Sequence, residues 1–169
     1  MLKIIYNLHP FFEDCYRRIN VREYAKLLKI SPPTASKLLT NYHKEGLIGM
    51  RKERNYIFFF ANKESKLFID LSRIYWQNKL SELVSFLKKE LVLPTIILFG
   101  SVAKAEVTKD SDIDIAVISR KKELGLKLFE KKLKRKIQVF LFQSLKDIKN
   151  KELANNILNG CVLFGRIKI

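Results

Sequence analysis

Four residues in the second half of the chain have the types and spacing for chemistry on a phosphate. Gly100 and Ser101 close an apolar run, Ile96-Ile97-Leu98-Phe99, and after ten further residues Asp112-Ile113-Asp114 opens another, residues 115–118. If residues 113–118 form a strand, Asp112 and Asp114 project to one side while Ile113 enters the core. Two carboxylates side by side repel unless a cation lies between them. Hard oxygen ligands on one face suit Mg²⁺, which takes one or two carboxylates and keeps positions for phosphate and water. Gly100 lets the backbone approach a phosphate, and Ser101, opening a helix, offers a hydroxyl and amide groups to anionic oxygens. Lys104 and Lys109 lie on the connecting segment, where they could neutralise a triphosphate. A plainer account of the carboxylates is turn chemistry, since Asp110-Ser111-Asp112 suits a turn entering a strand.

The surrounding pattern alternates strand and helix. Thr95–Phe99 reads as a strand, residues 101–105 as a short helix, and Ile113–Ile118 as a second strand. Residues 123–135 are amphipathic, with Leu124, Leu128 and Leu133 directed inward. Ile137–Phe142 is a third strand, with Gln138 on the face opposite Ile137 and Val139. Ser144 caps a helix to about Lys149, residues 152–158 form another that stops at Gly160, and residues 162–164 make a last short strand. A helical stretch over residues 63–91 precedes this half, capped by Asn62 and ended by Pro94. Its stripe is Leu67, Leu71, Ile74, Leu80, Leu83, Val84, Leu87 and Leu91, and a break near Asn78 would make it two helices.

The first half has a different order: three short helices and a hairpin. Pro10 suits the first turn of a helix over residues 11–19. Asn20 caps Val21–Leu28, with Glu23 completing a capping box. Ser31 caps a third helix with Pro32 in its first turn and Gly46 as its stop; Ala35, Leu38, Leu39 and Tyr42 form its buried face. Residues 47–52 and 56–61 are β-rich runs around Glu53-Arg54-Asn55, with Tyr56 and residues 58–60 as hairpin core. Helix, helix, helix, hairpin is the order of a winged helix-turn-helix, and Lys29-Ile30-Ser31-Pro32 has the length of its turn. The third helix would then be a recognition helix presenting Thr34, Ser36, Lys37, Thr40, Asn41 and Lys44, while the hairpin adds Arg51, Lys52 and Arg54. Such a face would make DNA binding through residues 20–61 steeply salt-dependent. The alternative is a winged helix used to bind protein, its polar face merely solvated. His9 and His43 stand alone and read as ordinary polar residues.

Composition bounds these readings. The chain has 169 residues, 47% hydrophobic and 30% charged, which places it among globular chains of one domain or two small ones. Lys and Arg number 33 against 17 Asp and Glu, a net charge of +16. The excess divides evenly, 17 cationic against 9 acidic residues over 1–90 and 16 against 8 over 91–169. Both halves therefore favour polyanions, either nucleic acid or nucleotide phosphates. A lysine-rich source would produce part of the same excess. No run of about 18 apolar residues offers a membrane span. Cys15 and Cys161 lack metal-type spacing, as expected of free thiols in a reduced cytoplasm.

The combination FGS, ten residues, DID resembles the signature of the DNA polymerase β-like nucleotidyltransferase superfamily. The brevity of the domain, the helical stretch before its first strand and the late run Asn159-Gly160-Cys161-Val162-Leu163-Phe164-Gly165 resemble the minimal nucleotidyltransferase branch. The resemblance covers residues of about 80–169. The preceding winged helix resembles prokaryotic, especially archaeal, proteins that join the two modules. It implies an α+β organisation: residues 1–62 a winged helix-turn-helix, 63–91 a helical connector, and 92–169 a small nucleotidyltransferase-like α/β domain with a mixed sheet. It also implies that Gly100 and Ser101 bind nucleotide phosphates and that Asp112 and Asp114 are catalytic and hold two Mg²⁺ ions.

Two positions depart from that pattern. The superfamily usually places a third carboxylate on a later strand, where it serves the second metal and the attacking hydroxyl. Gln138 occupies the expected position here, and Glu106 and Asp147 are the nearest alternatives in sequence. The loop after Gly-Ser often carries Arg-Gly; here it reads Lys104-Ala105, which keeps the charge without the bidentate fork. The implied activity is transfer of a nucleoside monophosphate, AMP from ATP or another nucleoside triphosphate, to a hydroxyl on a protein, RNA or small molecule. Members of the branch often pair with a small helical toxin, so such a protein is one implied acceptor. The second reading is a DNA-binding regulator whose nucleotidyltransferase-like domain binds nucleotide but turns over weakly or not at all because of Gln138. The third is a plain interaction protein. A homodimer is compatible with each.

Overall fold

The computed structural model of the protein describes residues 2–120 and 122–167. By its contacts the chain divides into two compact units, Met1–Tyr75 with Ala105–Lys109, and Trp76–Lys104 with Asp110–Ile169. Among the described residues no helix is long and apolar enough to cross a membrane.

The first unit begins with α1 (Lys3–Glu13), followed by β1 (Ile19–Asn20), α2 (Val21–Leu28), α3 (Pro32–Lys44), β2 (Ile48–Glu53) and β3 (Tyr56–Ala61). The helix expected to start at Pro10 instead runs through it. Proline leaves the carbonyl four residues back without its amide donor, and His9 replaces that donor: its Nδ1–H reaches the Tyr6 carbonyl at 2.7 Å. Ile5, Leu8, Phe11 and Phe12 are then buried on one face, which outweighs the local penalty. Ile19, expected inside that helix, lies in a two-residue strand paired with Phe58 and Phe59, so the hairpin becomes a three-stranded antiparallel sheet of order β1-β3-β2.

The caps follow the local chemistry. The Asn20 side chain accepts from the Glu23 amide at 3.0 Å and Ser31 Oγ from the Thr34 amide at 3.4 Å. Glu23 pairs with Arg17 at 2.5 Å. Of the expected hairpin core, Tyr56 and residues 58–60, Phe59 alone is buried; Phe58 and Phe60 are half-buried and Tyr56 is 60% exposed. Tyr56, expected in the core, lies outside it because it opens β3 beside the two-residue turn, beyond the cover of the helices.

Two tyrosines and an asparagine form a buried polar chain beneath this unit. Asn7 Nδ2 donates to Tyr42 Oη at 2.8 Å, and Tyr24 Oη donates to the Asn7 carbonyl at 2.9 Å. Burial pushes the pKa of both phenols up, so both keep their protons at physiological pH. Truncating Asn7 would strand the Tyr42 hydroxyl and leave a void. Asn7→Ala should lower stability by about 2–3 kcal/mol in urea unfolding; a loss under about 0.5 kcal/mol would mean the chain of bonds is not stabilising.

The helical connector is two helices, α4 (Lys66–Lys79) and α5 (Ser81–Glu90), joined at Leu80. It starts at Lys66, where Ser65 Oγ accepts from the Phe68 amide. Leu67 and Ile74, expected on the stripe, are exposed, while Phe68, Leu71, Tyr75 and Trp76 are buried. Burying the larger aromatic surfaces rotates the helix away from the leucine stripe. The division between the units falls within α4.

The second unit continues with β4 (Thr95–Phe99), α6 (Gly100–Lys104), β5 (Ile113–Ile118), α7 (Lys127–Leu133), β6 (Ile137–Phe142), a 3₁₀ turn (Leu145–Asp147), α8 (Lys151–Leu158) and β7 (Cys161–Phe164). Its sheet has the order β6-β5-β4-β7, with β5 and β6 parallel and the other pairs antiparallel, so it is mixed as expected. Ile97, Phe99 and Ala116 lie on one face against Ile148 and Ile157, joined by Phe140, Phe142 and Leu153. Ile96, Leu98, Ile113, Ile115 and Val117 alternate onto the other face and are also fully buried. In the amphipathic stretch only residues 127–133 are helical; Leu128 is 80% exposed and Phe129 turns inward to pair with Phe86, ring centroids 5.1 Å apart.

Candidate active site

The site lies at one end of the second sheet, where β4 stops and β5 begins. Phe99, the last residue of β4, is the register partner of Asp114. The next residue, Gly100, takes φ +70° and turns the chain directly into α6. A Cβ at this position would collide with Asp114 Oδ2. Glycine is thus required twice, for the left-handed backbone and for the close approach of the main chain to a carboxylate. Ser101 follows, half-buried, in the first turn of α6.

Asp112 and Asp114 are both half-buried and share a side of β5. Burial raises the Asp114 pKa, and the neighbouring Asp112 charge raises it further. Two carboxylates held this way repel, and one Mg²⁺ between them would relieve the repulsion. The donor chemistry therefore fits one Mg²⁺. Among the described residues no third Asp, Glu, His or Cys joins the pair. Asp147, one candidate for that place, accepts from the Ser144 amide at 2.8 Å and so caps the 3₁₀ turn. Glu106 falls in Ala105–Lys109, the segment that belongs to the first unit.

Gln138 stands where the third carboxylate was expected. It is the parallel register partner of Asp114, and its Nε2 donates to Asp112 Oδ2 at 2.7 Å. The amide thus holds the Asp112 carboxylate in place while supplying no charge of its own. Phe99 and Phe140, edge to face at 5.4 Å, lie on the same side of the sheet as Asp114 and Gln138 and floor this end of it. The loop before Asp112 is tied down by Arg135, which donates to the Ser111 carbonyl at 2.7 Å.

The two lysines diverge. Lys104 Nζ donates to Asn156 Oδ1 on α8 at 3.0 Å, so it is steered by a partner the sequence did not single out. Asn156 carried no local signal, being one polar residue in an amphipathic helix. Lys109 is exposed at the end of Ala105–Lys109. In that segment Val107 accepts from the Cys15 amide at 2.7 Å, and Ala105, at φ +55°, is fully buried.

In the first unit, α3 packs on α2 and β2. Thr34, Ser36, Lys37, Asn41 and Lys44 are exposed on α3, and Thr40 is half-buried. Arg51, Lys52 and Arg54 are exposed on β2 and its turn, with Arg54 in the left-handed region at φ +53°. Arg51 and Arg18 share Glu53, at 3.5 and 2.6 Å. His43 Nδ1–H donates to the Ile48 carbonyl at 3.1 Å, an ordinary structural role.

The family model "Polymerase beta, Nucleotidyltransferase" matches residues 81–168, just over half of the chain. This chain belongs to the polymerase beta nucleotidyltransferase family. The matched span contains the Gly100-Ser101 turn, both aspartates and Gln138. No curated protein matches the chain. Among solved structures, one match is the heme sensor protein PefR from Streptococcus agalactiae in complex with heme, 17% identical with a TM-score of 0.35. It covers 52% of this chain and 59% of that one, a likeness too slight to bear on fold or function.

Proposed function

We propose that the second unit transfers a nucleoside monophosphate, AMP from ATP, to a hydroxyl acceptor, and that the first unit is a winged helix-turn-helix that binds DNA. The observation carrying the first part is the close approach of the Gly100 backbone to the Asp114 carboxylate at the end of paired strands. That geometry supports placing nucleotide phosphates beside metal-ligating oxygens. Asp112 and Asp114 would hold Mg²⁺, which when bound neutralises the triphosphate and polarises its α-phosphorus. Gly100 and Ser101 would orient the phosphate oxygens. Transfer forms a bond from the acceptor oxygen to the α-phosphorus, breaks the bond to the bridging oxygen, and releases pyrophosphate. Incubation with Mg²⁺, cell extract and ATP labelled at the α- or γ-phosphate tests this. Label should move to an acceptor from the α position only; transfer of γ-label would make the protein a phosphotransferase instead.

The DNA part rests on the order α1-β1-α2-α3-β2-β3 with its β1-β3-β2 sheet, and on the solvent-facing cationic groups of α3 and β2. Losing a phosphate contact weakens binding evenly across sequences and flattens the salt dependence. For the pair Lys37→Ala/Arg54→Ala, the slope of log affinity against log salt should fall by about 2 in a fluorescence-anisotropy titration with duplex DNA. An unchanged slope would remove the proposed contact surface.

One observation favours the regulator reading for the second unit. The Gln138 amide already occupies Asp112 Oδ2, as in a site built to bind nucleotide with one metal and to turn over slowly.

A further inference from the structure

We propose that the opposite end of the second sheet holds a separate ligand site, for a nucleoside monophosphate. A cavity of about 1010 Å³ opens there, between Val92–Thr95, the ends of β5 and β6, and the last strand with the residues after it. Thr95 pairs with Ile118 at this end and Phe99 with Asp114 at the other. Four residues of strand separate them, about 13 Å, so the cavity is distinct from the carboxylate site. Its volume is at the upper end of the range for small-molecule pockets.

The charged residues of the lining are both cationic. Arg120 and Arg166 both line it, both are exposed, and neither side chain has an ion pair or hydrogen bond among the described residues. Two acids on flanking elements are engaged elsewhere: Glu90 pairs with Lys122 at 2.7 Å and Asp147 caps the 3₁₀ turn. A guanidinium fork with no internal partner has the chemistry to hold a phosphate monoester through two parallel N–H donors. The apolar part of the lining is unusually open. Val92 is 71% exposed and Leu93 91% exposed, and Phe164 presents part of its ring while Lys88 Nζ lies 4.2 Å from its centroid. Leu93 is also held at φ +45°, a strained backbone for a residue that buries nothing. Such strain is retained where a binding surface uses it. An aromatic ring and two aliphatic side chains in a cavity that two arginines also line suit a base and a phosphate together.

The experiment is calorimetric titration of AMP into the full chain carrying Asp112→Asn/Asp114→Asn, in EDTA, so that the carboxylate site cannot respond through metal. AMP should bind with one-to-one saturation. Adenosine and inorganic phosphate, which each carry half of the recognised chemistry, should bind about tenfold more weakly or less. Adding Arg120→Ala/Arg166→Ala should weaken AMP by about tenfold or more while leaving the unfolding temperature unchanged, since both side chains are exposed. The proposal is overturned if AMP fails to bind, if its affinity survives loss of both arginines, or if adenosine or phosphate alone binds as well as AMP. None of these outcomes depends on whether the carboxylate site catalyses transfer.

Discussion

Asp112→Asn and Asp114→Asn should each lower α-phosphate transfer by a factor on the order of 10³ or more. Asparagine keeps the shape of aspartate and removes the anion, so the change tests charge and not packing. The two positions are not equivalent. Asp112 accepts from Gln138, and an asparagine there can turn its amide oxygen toward the same donor. Asp114 instead lies against the Gly100 backbone. Initial rates with α-labelled ATP at saturating Mg²⁺ measure the loss. Either variant turning over at the parent rate would remove the aspartates from the reaction.

The same substitution should have an opposite effect on stability without metal. Burial and the Asp112 charge raise the Asp114 pKa in the folded chain. A carboxyl that holds its proton more tightly when folded contributes stability below its unfolded pKa. That contribution is lost as pH rises through the folded pKa. In EDTA the parent should therefore become less stable as pH rises above the ordinary carboxylate range, and Asp114→Asn should not share that loss. The gap in melting temperature between variant and parent should widen with pH and close when Mg²⁺ is added. A gap independent of pH would mean that the variant acts through packing.

The parts of this site legible from sequence are those set by neighbours along the chain. A strand that ends at Gly100-Ser101 and a strand that opens at Asp112-Ile113-Asp114 are local patterns, and alternation alone puts the carboxylates on one side. Caps at Asn20 and Ser31 are local in the same way. Most of the misses depend on distant partners. Pro10 is a good first-turn residue until His9 supplies the lost donor and four apolar side chains find a core. The two residues of β1 are a strand only because Phe58 and Phe59 lie beside them. Leu128 and Phe129 are both apolar, and only the position of Phe86 decides which turns inward. At the site itself, β6 placed Gln138 opposite Asp114, but its bond to Asp112 required the parallel register, which no local pattern encodes. Nor does any local pattern separate Ala105–Lys109 from the residues on either side of it.

That amide is where the two functional readings part. Gln138→Glu keeps the length of the side chain and replaces a donor to Asp112 with an anion at the same 2.7 Å. Without metal this swaps a hydrogen bond for repulsion among three carboxylates, so the melting temperature in EDTA should fall. With Mg²⁺ the third carboxylate becomes a ligand and a proton acceptor. The melting temperature should then rise by more than the parent's does on adding Mg²⁺. The shorter Gln138→Asp tests the same chemistry with less crowding. If the natural chain is a slow or silent nucleotide binder, one of these variants should gain α-phosphate transfer by a factor on the order of 10² to 10⁴, the usual worth of a positioned base. If the natural chain is already an efficient transferase, neither variant should gain, because its acceptor proton leaves by a route that does not use position 138. One reading predicts a gain in that rate and the other none, and the Mg²⁺-dependent melting shift shows in either case whether the new carboxylate has reached the metal.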